Sequence, residues 1–162
     1  MNKKKIIIAS VFTCIVLAAV IAFSLWYFTY GAYDGAYKGM SVDDFFDQVP
    51  EERCFCYLGY IFYNNQLGDP VVAQRSDDYK TISEIRSFSK YTIRPNRLTA
   101  EGIHPGMSVY DVVSKLGTPV GTATFGMITL AFDLEGGVRC VVYLGGELSD
   151  SDLVVTSVVF YE

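Results

Sequence analysis

The chain has 162 residues, room for one ordinary domain or two very small ones, and 51% of them are hydrophobic. Its formal charge is −5, and from residue 31 onward 10 basic residues stand against 18 acidic ones, a balance of 10 − 18 = −8. That balance argues against nucleic acid and anionic lipid surfaces as partners, because both attract positive charge.

Residues 1–5 carry Lys3, Lys4 and Lys5, and residues 6–28 follow without a single charge. About 20 apolar residues suffice to cross the hydrocarbon core of a bilayer as a helix. The expectation is therefore a short cytoplasmic stub over 1–5, a transmembrane signal anchor over 6–28, and an extracytoplasmic remainder, with basic residues on the inner side. Trp26, Tyr27, Tyr30 and Tyr33 suit the outer interface. Two alternatives are a cleaved signal peptide ending near Ala22-Phe23-Ser24, and a lipoprotein signal at Cys14, where bulky Phe12 fits poorly.

The next element is written twice. GMSVDDFFDQV at residues 39–49 returns 67 positions later as GMSVYDVVSKL at 106–116. In the second copy Ser108 is a helix N-cap, Asp111 completes a carboxylate version of the capping box, and Gly117 with Pro119 ends the helix. Val109, Val112, Val113 and Leu116 then share one face. Met107 can pack on Val112 as a hydrophobic staple, and Gly106 permits the tight entry. The first copy repeats these devices with Met40 on Phe45, Ser41 as cap, Asp44 following, an apolar face of Val42, Phe45, Phe46 and Val49, and Pro50 as the stop. Five identities at one offset, all at structurally meaningful positions, point to duplication.

Each helix is followed by runs rich in β-branched and aromatic residues. After the first come CFCYLGYIFYN, PVVAQRS and TISEIRSFS, and after the second GTATF, MITLAFD, VRCVVYL and LVVTSVVFY. Residues 91–103 read as a linker, with a turn at Pro95-Asn96. The expected fold class is α+β: the transmembrane helix, then two tandem repeats at 37–90 and 104–162, each a short helix packed on a small antiparallel sheet. Units of this size are marginal alone, so the two sheets should associate.

Catalytic signals are sparse. The single histidine, His104, aligns with Tyr37 of the first repeat, and no nucleophile motif accompanies it. Asp43, Asp44 and Asp47 read as a solvated helix face. Asp77-Asp78 and Asp150-x-Asp152 lie in turns but lack the alternating oxygen ligands of a calcium loop. No catalytic residue, metal site or cofactor is expected. Cys54 and Cys56 repeat on one strand face, so either could form a disulfide with Cys140 if the sheets abut, with buried free thiols as the alternative. Phe55, Tyr57, Tyr60, Phe62 and Tyr63 crowd one region and form the candidate protein-binding patch, Gly59 marking a bulge that switches the strand register.

Gly106, Met107, Ser108, Val112, Leu116, Gly117 and Pro119 give the chain a resemblance to the entry motif of SmpA/OmlA (BamE-like) envelope domains and of the repeats in β-lactamase inhibitory proteins. The likeness extends over residues 104–162. The first half matches at Gly39, Met40, Ser41 and the helix face, and Val49-Pro50 stands where Leu-Gly would be. The resemblance implies non-covalent recognition and no catalytic residues. Together these readings lead to the expectation of a membrane-anchored, extracytoplasmic binding or assembly module for an envelope protein or wall component. The alternative is a proteinaceous enzyme inhibitor, as the tandem arrangement suggests.

Overall fold

A computed structural model describes residues 3–27, 31–123, 127–146 and 153–161, with side chains in the first helix described from Ser10 onward. Phe28 of the expected anchor, Tyr30 of its outer interface, Thr124 and Phe125 of the GTATF run, and Asp150 and Asp152 lie outside the described residues.

Helix α1 covers Lys3–Trp26. Among the described residues, however, no helix is long and apolar enough to cross a membrane. The expected transmembrane anchor at 6–28, and with it the single-pass topology and the membrane partner, are corrected on this finding.

The rest is α+β with two antiparallel sheets. Helix α2 (Val42–Gln48) leads through a single 3-10 turn at Glu51–Arg53 into β1 (Phe55–Tyr57), β2 (Tyr60–Asn64), β3 (Pro70–Arg75) and β4 (Ile82–Ser87), hydrogen-bonded in that order. Helix α3 (Arg97–Glu101) and helix α4 (Val109–Leu116) precede β5 (Thr129–Asp133), β6 (Arg139–Gly145) and β7 (Val154–Tyr161), again paired in chain order. Helix α3 falls inside the segment read as a linker, where Asn96 caps it by accepting a hydrogen bond from the Thr99 amide at 2.9 Å.

The repeated phrase performs the same work in both places. Ser41 accepts from the Asp44 amide, and Ser108 forms a full capping box with Asp111. Gly39 and Gly106 both take φ +89°, a left-handed turn that favours glycine. The backbone of each phrase then pairs with the last strand of its own repeat. Gly39 N donates to Ile82 O (2.7 Å) and Ile82 N to Met40 O (2.9 Å); Gly106 N donates to Val155 O (2.9 Å) and Val155 N to Met107 O (2.8 Å). Even the strand irregularity recurs, between Gln74 and Arg75 in β3 and between Tyr143 and Leu144 in β6. The phrase is thus both a helix start and a strand partner, which explains why its residues are kept at both sites.

Two buried clusters hold the layers together. One joins Met40, Phe45 and Val49 to Ile61, Tyr63, Val71, Ala73 and Ile82, so α2 covers one face of the first sheet. The other joins the opposite face of that sheet, through Tyr60, Phe62 and Val72, to α4 and to Leu130, Phe132, Cys140, Val142 and Val155 of the second sheet. Helix α4 buries Val109, Tyr110, Val112, Val113 and Leu116, an arc wide enough to serve both sheets.

Candidate recognition surface

Phe55, Tyr57, Tyr60, Phe62 and Tyr63 do not form the exposed patch expected of them. Leu58 and Gly59, with φ +47° and +80°, make a two-residue hairpin turn rather than a bulge, which pairs Phe55 with Phe62 and Tyr57 with Tyr60. All four rings therefore fall on one face as a ladder: Phe55–Phe62 centroids lie 5.8 Å apart, Phe55–Tyr57 6.1 Å and Tyr60–Phe62 6.0 Å. The ladder meets the second repeat. Tyr110 of α4 packs edge-on against Tyr60 at 6.1 Å, donates its hydroxyl to Gln74 Oε1 at 3.0 Å, and lies under the Arg86 guanidinium at 4.4 Å. The Tyr57 hydroxyl donates to the Met127 carbonyl at 3.2 Å. Phe55 and Tyr57 are half-buried, while Tyr60 and Phe62 are buried in this contact between repeats. Tyr63 points the other way, onto α2, and donates to the Tyr33 carbonyl at 2.9 Å.

Of the two cysteine alternatives, disulfide or free thiols, the structure has the second. Cys54, Cys56 and Cys140 are free thiols, because Cys140 lies in the core between α4 and the second sheet while Cys54 packs at the margin of the α2 cluster on the first. Burial pushes the Cys54 thiol up to about 12, reinforced by neighbouring Cys56, and pushes Cys140 up to about 11. Burial raises Cys56 as well, opposed by Arg75, whose Nη2 lies 3.7 Å from its sulfur. All three are thereby weaker nucleophiles at neutral pH than an ordinary cysteine. Among the described residues no group of three or more His, Cys, Asp or Glu side chains is placed to hold a metal. His104 is exposed, with Nδ1 3.1 Å from the neighbouring Pro105 carbonyl.

A second aromatic surface lies on β6 and β7, which no motif in the sequence marks. Arg139, Val141 and Tyr143 of β6 pair with Tyr161, Val159 and Ser157 of β7, so their side chains share the face turned away from α4. The neighbouring Tyr143 side chain holds the Tyr161 phenol above its ordinary value. Their backbone positions lie diagonally on either side of the Val141–Val159 pair. Val141 is buried, but Val159 remains 38% and Tyr161 48% exposed. At the far end Arg139 Nε meets Asp133 Oδ1 at 2.9 Å, closing the face with an exposed ion pair. The periodicity of LVVTSVVFY had marked a strand, but only the second sheet's position in the stack shows which of its faces is left outward.

Neither a protein-family model, nor a curated protein, nor a solved structure matches this chain.

Proposed function

We propose that the chain is a non-catalytic protein-recognition module whose contact surface is the outward face of β6 and β7, formed by Tyr143, Ser157, Val159 and Tyr161. The observation that carries this reading is Tyr161 beside Val159, both exposed, with Tyr143 on the same face of a regular sheet. Tyrosine supplies a large, rigid contact area and a polar tip, the combination favoured at protein interfaces. The ion pair of Asp133 and Arg139 supplies a polar margin. The likeness of residues 104–162 to the SmpA/OmlA and inhibitory-protein repeats supports recognition in the same direction.

The test is site-specific photocrosslinking in cells, with the crosslinker placed at position 161 in one variant and at position 60 in another. Adducts should form from position 161 and not from position 60. A purified partner should lose at least about tenfold in affinity to the variant carrying Tyr143→Ala and Tyr161→Ala, matching the loss of one anchor of about 1.4 kcal/mol. A partner that binds the folded double variant as well as the wild type would overturn the reading.

A further inference from the structure

Strands β4 and β7 occupy equivalent places, each last in its sheet and each held at its start by the repeated Gly-Met-Ser phrase. Their free edges are treated differently. Strand β4 carries Glu84 and Arg86, which pair with each other at 3.2 Å, and Glu84 also binds Lys38 at 3.3 Å. Charged side chains on an edge strand oppose pairing with another strand. Strand β7 reads VVTSVVFY, with no charge and no proline. Among the described residues its only backbone hydrogen bonds outside β6 are those of Val155 to Gly106 and Met107, so the edge from Ser157 to Tyr161 is open. Arg97 of α3 reaches over the Phe160 ring at 5.3 Å, on the α4 side of the strand.

We infer that this edge pairs with the same edge of a second copy, antiparallel about a two-fold axis at Val159, joining two three-stranded sheets into one of six strands. The inference rests on the reading of β7 as the contact side and names its partner. The sequence is self-complementary in that register. Val159 faces Val159, Val158 faces Phe160 and Ser157 faces Tyr161, which sets valine against valine, valine against phenylalanine and serine against tyrosine, with no charge opposed. A second copy shares the net charge of −5, so association is least opposed along a stretch without charge, and residues 153–161 form one. A two-fold contact of this kind closes on itself and does not continue into a fibre.

The experiment is the mass of the full-length protein by light scattering, over a wide concentration range, for wild type, Val159→Lys and Val159→Glu. Wild type should have twice the mass of one chain, and each variant alone should fall to half of that because like charges meet at the axis. An equimolar mixture of the two variants should regain the doubled mass. Should either variant fail to fold, Val159→Cys in a background of Cys14→Ser and Cys56→Ser provides the second arm. It should oxidise to a covalent dimer, and Tyr91→Cys in the same background should not. A monomeric wild type overturns the self-pairing even if position 161 crosslinks to another protein, in which case the recognition reading stands. A dimer indifferent to both charges, as association through the apolar surface of α1 would give, overturns it equally.

Discussion

Tyr60 and Tyr161 are the same residue type on exposed-looking strands, and their surroundings assign them opposite work. Tyr60 is 5% exposed and lies between Phe62 and Tyr110, so Tyr60→Ala should cost about 3 to 5 kcal/mol through lost contacts and the cavity left behind, read by urea unfolding. Tyr63 offers a test by pH. Burial, with the charge of Asp34 next, holds its phenol far above the ordinary value, and only the protonated hydroxyl can donate to Tyr33. The folded state thus holds this proton more tightly than the unfolded chain does. Its contribution is complete below the unfolded value of about 10 and is lost as pH rises beyond it. Tyr63→Phe should therefore flatten the alkaline decline in unfolding midpoint. Because the cysteines are free, a reducing agent should leave the wild-type midpoint unchanged, and Cys140 should react with a thiol reagent only after unfolding.

At the scale of elements, the helix caps were legible because they are local. Serine at the cap with a carboxylate three residues on specifies a helix start whatever surrounds it, and Ser41 and Ser108 both act so. Ser108→Ala should cost about 1 kcal/mol in the same unfolding assay. The hairpin at Leu58-Gly59 was misread, since a glycine inside an apolar run is compatible with a bulge or a turn, and the choice depends on which strands pair afterwards. Helix α3 was missed for a related reason: five residues give too little periodicity, although Asn96 carried a cap signal. An ion pair with its carboxylate buried carries no sequence signal at all. Asp34 accepts from Arg53 Nη2 at 3.0 Å and from the Gln66 amide at 2.8 Å, tying the segment before α2 to the turn between β2 and β3. Asp34→Ala should destabilise the fold by about 2 kcal/mol, because the Gln66 amide loses its partner and the half-exposed Arg53 keeps only part of its bonding.

For the whole molecule, duplication could be read from the sequence, but the way the copies stack could not. The repeated phrase shows two helix-and-sheet units, yet nothing local shows that α4 of the second covers the aromatic ladder of the first. That contact buries the patch which density of tyrosine had marked for binding, and it leaves the equivalent face of the second sheet outward. It also couples the two repeats, because the cluster around α4 takes in Tyr60, Phe62 and Val72 of the first sheet together with the strands of the second. The assignment of function depends on this division between an aromatic face spent inside and one kept outside. Urea unfolding of Tyr60→Ala beside Tyr161→Ala tests it most directly. A single transition, with a midpoint lowered strongly by Tyr60→Ala and left in place by Tyr161→Ala, is the predicted result. Equal losses from the two substitutions, or a Tyr60→Ala protein as stable as wild type, would contradict it.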